Sequence, residues 1–425
     1  MSGALRHLIG GTSVKYRLME LLLCPECEGA VELEVWKVKN EPRASETKPG
    51  CRKGCYFDDP SCTRCYAPEI LEGVLRCNGC ARAYPIIGGV PRMLPDDLRS
   101  VLWQSERDFF ERHPQILPAV FGEKLLRSSD EKSKDKELTY RSFSFQRVSL
   151  KPPDSSYARD WLAQFERLVK PHASCEFAGK LGLDAGCGFG RYLSAAHACG
   201  AEVVGLDLSE GVLRAFENNR GNARTHVVQG DICRMPFRAG TFDFALSFGV
   251  LHHLPNPKEG FRSLARAVAQ NGDILIWVYG YEGMSWSYRI SHMRTLRRLT
   301  TRLPRPAQLA FCVLVTLALE IVLWLPHRVL SRFRATRKIA ERLPGGSNSR
   351  QPFAMKVTAV FDRLGTPTTH FCNREELLGW YADAGLISVN VSSTDRKGWQ
   401  ACGEKPPSAP VRKEVSSLNR SDFAS

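Results

Sequence analysis

Apolar and polar positions change rhythm several times along the chain. Between residues 181 and 280 the short apolar runs LGLDA, VVGLD, HVVQG, FDFALSF and DILIWVYG are separated by amphipathic stretches, the pattern of strands alternating with helices. That order predicts a doubly wound α/β sheet. Further on, FCNREELLGWYADAG predicts a returning helix with Leu377, Leu378, Tyr381 and Ala384 on one face, and VNVSS with GWQACGEK predicts a closing hairpin. Ahead of the sheet, LRSVLWQSERDFFERH predicts a helix, SSDEKSKDKE reads as a solvated linker, and YRSFSFQRV is placed to fold over a ligand site. The final segment PPSAPVRKEVSSLNRSDFAS lacks the apolar content to order itself.

One interval breaks the alternation. About 90 residues separate the fifth strand from the returning helix, the insertion being placed over 281–349, and within it 309–325 reads LAFCVLVTLALEIVLWL, broken only by Thr316 and Glu320. From Arg289 to Arg342 twelve basic residues face two acids, so most of the chain's net charge of +14 sits here. A membrane-spanning helix is disfavoured, because the run is short, carries a carboxylate, and would strand the last two strands across the bilayer from their sheet. Two readings stay open: a lid helix lining an apolar acceptor pocket, or an interfacial helix on an anionic membrane surface. Either implies a large or apolar acceptor.

With 425 residues, 43% apolar and 24% charged, the chain is expected to hold more than one folded unit. The expected division is a zinc-binding domain over 1–95, a connector over 96–150, an α/β domain over 151–280 and 350–404, the helical insertion over 281–349, and a disordered tail over 405–425. MSGALRHLIGGTSVKYRLMELLL is not read as a secretory signal, which points to a reducing cytoplasm with peripheral membrane contact left open. There, 15 cysteines argue for metal ligation or simple burial over disulfides.

Eight of those cysteines form four close pairs: Cys24 and Cys27, Cys51 and Cys55, Cys62 and Cys65, Cys77 and Cys80. A Cys-x-x-Cys knuckle presents two thiolates at tetrahedral spacing, and two knuckles close a structural zinc site. The outer pairs, in LLLCPECEGAVEL and LRCNGCARAYPIIGGVPRMLP, resemble the small zinc domain named for the activator subunit of tRNA methyltransferases. The resemblance implies a zinc-ribbon-like site on the outer four. The inner four are extra to that pattern and would serve a second ion.

After the first strand of the α/β unit, Gly186, Gly188 and Gly190 allow a sharp turn and a close backbone approach to a ligand at a helix N-terminus. The spacing G-x-G-x-G followed by Arg191, without a later third glycine, argues against a nicotinamide-dinucleotide site. Asp207 closes the second strand, where a carboxylate can accept ribose hydroxyls. LDAGCGFGR, VVGLDLS, QGDICRMPF and FDFALSFGVLHHL resemble the successive motifs of class I S-adenosylmethionine-dependent methyltransferases, in the small-molecule branch of ubiquinone and menaquinone biosynthesis. The resemblance implies a Rossmann-like seven-stranded sheet, mostly parallel with an antiparallel strand 7. It further implies that the three glycines face the cofactor's methionine part, Asp184 its amino group, Asp207 its ribose, and Asp231 with Ile232 its adenine, with Phe248 beside them.

Methyl transfer from a sulfonium needs alignment and, for a hydroxyl acceptor, removal of a proton. His252 and His253, at the carboxyl edge of the fourth strand, are the candidate bases, although either could merely cap or pack. Cys187 reads as a small loop residue and Asp243 as a structural partner. SFGV replaces the NPPY-type tetrapeptide of many base methyltransferases and no Pro-Cys dipeptide occurs, so DNA is not expected as substrate. The favoured function is methylation of an oxygen on a small or lipid-linked metabolite. The alternatives are an RNA methyltransferase gripping RNA through the zinc domain and basic insertion, and a non-catalytic assembly subunit.

Overall fold

The computed structural model describes residues 15–40, 68–122, 131–149, 158–280, 294–342, 349, 351–394 and 398–407. The inner cysteines Cys51, Cys55, Cys62 and Cys65 lie outside the described residues, as does most of the tail.

The N-terminal part is an antiparallel meander of β1 (Val31–Asn40), β2 (Pro68–Cys77), β3 (Ala83–Ile87) and β4 (Val90–Met93). The α/β part supplies β5 (Leu181–Ala185), β6 (Glu202–Asp207), β7 (Thr225–Gly230), β8 (Phe242–Phe248), β9 (Val268–Tyr279), β10 (Ile387–Thr394) and β11 (Gly398–Glu404). Their order is β7-β6-β5-β8-β9-β11-β10, with β5 to β9 parallel and β11 antiparallel to β9. This is the expected seven-stranded sheet. The central strands are buried along nearly their whole length, which fits their β-branched and leucine-rich composition, because helices cover both faces. The order reverses between β5 and β8, so the loops leaving their carboxyl ends diverge and open a crevice. Both the glycine loop and the histidine pair lie on that edge.

The meander is not a separate bead. β4 pairs parallel with β7, Arg92 opposite Gln229 and Met93 opposite Gly230, and extends the sheet to eleven strands. Leu22, Cys24, Ile86 and Met93 share one apolar cluster with Leu183, Val204 and Val228.

Several local expectations are corrected. The charged stretch read as a linker becomes, from Glu131, the first turns of one continuous helix, Glu131–Ser149, that also contains YRSFSFQRV. The connector helix breaks at Glu106 into Arg99–Ser105 and Arg107–Arg112, where the Glu106 carboxylate meets the buried Arg92 guanidinium at 2.9 Å. In the returning helix, Arg374–Asp383, Leu377 and Tyr381 are buried as expected, but Trp380 joins them and Ala384 lies past its end. A helix over Phe353–Gly365 was not anticipated. The apolar run forms a helix over Arg305–Leu319, a π-helical turn over Glu320–Trp324 and a further helix over Leu325–Arg332. Pro326 follows that turn and can donate no backbone hydrogen bond into it, a sufficient reason for the local widening.

Candidate active site and metal centre

The outer cysteines converge as their spacing requires. The four Sγ atoms of Cys24, Cys27, Cys77 and Cys80 lie within 4.8 Å of one another, with Cys24 to Cys80 at 3.6 Å and Cys27 to Cys77 at 3.4 Å. Zinc–sulfur bonds of about 2.3 Å in a tetrahedron place sulfurs about 3.8 Å apart, so the cage fits the ion. Gly29 and Gly79 keep it closed: a Cβ at Gly29 would sit 3.1 Å from the Cys77 sulfur, and one at Gly79 3.3 Å from that of Cys27. The thiols are not shifted alike: burial raises Cys24, and Cys27 is pushed up to about 12, its hydrogen bond with the Gly29 backbone outweighed by those with the Cys77 and Cys80 thiols. The Gly79 N–H donates to the Cys77 sulfur at 3.3 Å, and the Tyr84 hydroxyl lies 3.0 Å from the Cys24 sulfur. Burial raises the Cys80 thiol, but hydrogen bonds from the Arg82 backbone and guanidinium outweigh it and bring the thiol down to about 6. Among the described residues every cysteine is free of disulfides.

At the end of β5 the chain turns through three glycines with positive φ. Two are strictly required: a Cβ on Gly186 would stand 2.3 Å from Val250, and one on Gly190 2.5 Å from the Asn219 amide and 2.9 Å from the Ala215 backbone. Gly190 caps the helix Arg191–Ala198, whose N-terminus therefore opens onto the loop. The Gly188 N–H donates to Oδ2 of Asp207 at 2.8 Å, while Oδ1 accepts from the Ser209 N–H at 2.8 Å and its hydroxyl at 2.6 Å. Asp207 thus ties the glycine loop to the end of β6. Three of about four acceptor positions on its carboxylate are taken.

Asp184 lies beneath this loop, 1% exposed, and its Oδ2 has no hydrogen-bond partner. Burial is the chief reason its carboxyl is pushed up to about 7, with Arg191 opposing and Asp207 reinforcing the shift. An orphaned buried carboxylate beside a glycine cradle suits a ligand's ammonium group. The consequence is a pH dependence of defined sign. A cation binds the ionised form, so affinity for an aminoacyl ligand is expected to be full above pH 7 and to fall by up to about tenfold per unit below it, as protons compete. Calorimetry of S-adenosylmethionine binding from pH 5.5 to 8.5 measures this, and Asp184→Asn should flatten the profile.

Asp231 follows β7 and caps a short turn, with Oδ1 accepting from the Cys233 N–H at 2.9 Å. Its Oδ2 accepts from Nζ of Lys136 at 2.7 Å. Burial disfavours the lysine charge, but Asp231 outweighs it and holds Lys136 above the ordinary lysine range. The charge run read as solvated therefore supplies a half-buried partner to an expected cofactor residue. Ile232 is buried next to it.

A cleft of about 400 Å³ opens between the glycine loop and two helices. Gly186, Gly188, Phe248, Trp277 and Tyr279 line one side, Phe143, Gln146 and Arg147 of Glu131–Ser149 a second, and Met355, Thr358, Asp362 and Arg363 of Phe353–Gly365 a third. The structure separates the two histidines. His253 lines the cleft, its Nδ1 3.0 Å from the Thr368 carbonyl oxygen and its ring edge-on to Phe143. Donation from Nδ1 to that carbonyl leaves Nε2 as the acceptor. Burial pushes His253 down to about 4, so the ring is neutral and a weaker base than a free imidazole. His252 is fully buried outside the cleft, its ring tilted 32° to that of Tyr279 with centroids 3.9 Å apart, and Nδ1 accepts the Tyr279 N–H at 3.4 Å. Burial also pushes the Cys187 thiol well up, which suits a filler residue and not a nucleophile. Asp243 accepts the Leu181 N–H at 2.8 Å and bridges two strands.

Sequence reasoning missed Trp277, Tyr279, Met355, Asp362 and Arg363. The two aromatics had a signal: at period two on β9 they share one face, and that face leads to the carboxyl edge. The three on Phe353–Gly365 had none, because nothing local says which helix folds back over the loop.

The strand order, the reversal at β5 and the glycine loop define a Rossmann-like methyltransferase fold. Residues 183–276 match the family described as methyltransferase domain, and residues 15–89 the family described as Trm112p-like protein. The chain therefore carries a methyltransferase domain behind a Trm112p-like domain. Curated relatives include a tRNA U34 carboxymethyltransferase of Edwardsiella ictaluri, 33% identical over 135 residues, covering 31% of this chain and 40% of the relative. A tRNA U34 carboxymethyltransferase of Sodalis glossinidius is 32% identical over 148 residues, covering 34% and 43%. The chain thus spans about two fifths of the length of these relatives. Among solved structures, a complex of the Haloferax volcanii Trm112 methyltransferase activator with a putative methyltransferase matches at 14% identity and a TM-score of 0.34, covering 60% of this chain and 100% of that one.

Proposed function

We propose that this protein is an S-adenosylmethionine-dependent methyltransferase whose acceptor is a nucleoside of RNA. The observation that carries the reading is the cleft itself: it abuts the glycine loop and is walled by Phe143, Trp277 and Tyr279, with Arg147, Arg191 and Arg363 at its margins. Unstacked bases are held by aromatic faces and guanidinium planes, and the attached phosphates by positive charge. The names of the curated relatives support RNA over the small-metabolite oxygen favoured by the sequence.

The cofactor, when bound, supplies a methyl group on a sulfonium, already a good leaving group. The chain's residues hold and align. Asp184 and the glycine loop receive the aminoacyl end, Asp207 offers its remaining acceptor position to the ribose, and Asp231 closes the adenine end once Lys136 shares it. Nε2 of His253, neutral across the physiological range, accepts a hydrogen bond from the acceptor and fixes the attacking atom in line. Phe143 and Phe353–Gly365 keep water from the cleft.

The test is transfer of label from methyl-labelled S-adenosylmethionine to bulk tRNA, rRNA and lipid extract in parallel. Label in RNA, reduced at least about tenfold by His253→Ala with cofactor affinity retained, is the expected result. Label in lipid alone would establish the second reading, an amphiphilic acceptor, which the solvent-exposed leucines and valines of Arg305–Arg332 favour.

A further inference from the structure

The helical segment Arg305–Arg332 is built inside out. Its inner row, Gln308, Cys312 and Thr316, is fully buried against Phe353–Gly365, where Cys312 packs on Val360, Phe361 and Leu364. That row is partly polar, with Leu309, Val315 and Leu319 packing beside it and Trp324 buried at its end: Gln308 donates to the Thr300 carbonyl at 3.2 Å, and the Thr316 hydroxyl to the Cys312 carbonyl at 2.7 Å. Next in the same row, Glu320 accepts from the buried Lys356 ammonium at 2.7 Å and pairs with Arg328. The outer row carries the large apolar side chains: Leu314 is 64% exposed, Ile321 and Val322 67% each, and Leu325 and Val329 nearly half. A water-facing helix has the reverse arrangement, and a contiguous apolar stripe of this length on a soluble surface marks a contact site.

The charges around the stripe choose the partner. Arg302 precedes it, and Arg332, Arg334 and Lys338 follow it, all exposed, with Phe333 and Ile339 interleaved and also exposed. The stripe's own acid, Glu320, is turned inward and neutralised by Lys356 and Arg328. A second copy would bring like charges together at both ends of the stripe. A bilayer with anionic headgroups satisfies both features, apolar side chains entering the acyl boundary and guanidinium groups meeting the headgroups. Spanning is ruled out by the chain path. The segment rests on Phe353–Gly365 through its inner row, and the chain then returns to β10 and β11, which complete the sheet.

We propose that Arg305–Lys338 is an interfacial docking surface that seats the protein on an anionic membrane, lying in the headgroup plane. The supporting helix Phe353–Gly365 packs against the docking segment with Val360, Phe361 and Leu364 and lines the cleft with Met355, Thr358 and Asp362. The cleft therefore lies across one helix, about 10 Å, from the docking segment. This inference goes beyond the proposed reaction and does not depend on its acceptor.

The experiment is co-sedimentation of the full chain with phosphatidylglycerol-containing vesicles and with pure phosphatidylcholine vesicles, with oligomeric state measured by analytical ultracentrifugation in their absence. Binding at least about tenfold tighter to the anionic vesicles, weakening with salt, is expected. Ile321→Asp with Val322→Asp should abolish binding while leaving S-adenosylmethionine affinity unchanged, since both residues face outward. Arg332→Gln with Arg334→Gln should remove only the anionic preference. No binding to either vesicle overturns the proposal, as does binding that the Ile321 and Val322 substitutions leave intact. A dimer that those substitutions dissociate would assign the stripe to a second copy and overturn it equally.

Discussion

Cys24→Ser is expected to strip the protein of one zinc ion and to unfold its N-terminal meander. Cys24 is fully buried, its sulfur 3.6 Å from that of Cys80 and 3.0 Å from the Tyr84 hydroxyl, so a shorter, harder ligand cannot be accommodated by drift. Structural zinc contributes about 10–16 kcal/mol in small zinc domains, several times what a four-stranded meander of this size could supply from its own core. The damage should not stay local. Cys24 and Met93 belong to the same apolar cluster as Val204 and Val228, and β4 forms the hydrogen-bonded edge of β7. Loosening the meander bares that edge and the floor under Asp231. Metal analysis on the purified chain and thermal unfolding provide the readout: loss of one zinc per chain, a melting temperature lower by ten degrees or more on the order expected for several kcal/mol, and aggregation from the exposed edge. Cys175→Ser, at an exposed site outside the cluster, should change neither. Retention of full zinc and stability in Cys24→Ser would refute the assignment.

Asp207→Ala is expected to reduce S-adenosylmethionine affinity by about 100-fold or more. The substitution removes the acceptor of the Gly188 N–H and of both Ser209 donors, and with it the anchor that fixes the glycine loop against β6. Hydrogen bonds to a charged group are worth about 1.5–3 kcal/mol each, and the ligand loses both a direct partner and a preorganised loop. Isothermal calorimetry on wild type and variant measures the difference, with NAD as a second titrant expected to show no binding to either. Circular dichroism should show the fold intact, because the buried strands on either side of Asp207 make no use of its side chain. An unchanged affinity would mean that the cofactor does not bind at the end of β6.

Much of this was legible in the chain because its signals are local. The outer knuckles announce a metal cage through the spacing of thiols that backbone geometry brings together within a turn. The G-x-G-x-G loop announces itself because only glycine adopts the positive φ and close approach found at Gly186 and Gly190. The histidine pair was legible only as a pair. Adjacent residues on a turn point in different directions, and it took Thr368 and Tyr279, distant in sequence, to place His253 in the cleft and His252 beneath it.

Lys136 shows the opposite limit. In sequence it belongs to a charged run without apolar content, and such runs are ordinarily solvated. In the structure the helix it belongs to is held by Tyr140 and Ser144, which bond Glu210, and by Ser142, which donates to the Gly365 carbonyl, and the lysine meets Asp231. The same is true of the apolar run over 309–325, whose composition names a greasy helix but not its inside-out setting.

The sequence by itself determined the strand-helix alternation, the glycine loop, the carboxylates at the strand ends and the outer thiolate cage. Each depends on backbone geometry over a few residues or on a period of two or 3.6, which a linear chain can encode directly. Tertiary structure alone decided that β4 joins β7, that two separate helices roof the cleft, that one histidine faces it, and which side of the apolar helix is exposed. Those outcomes depend on contacts between residues 48 to 137 positions apart, whose selection is a competition among packings of the whole chain and is recorded in no local pattern.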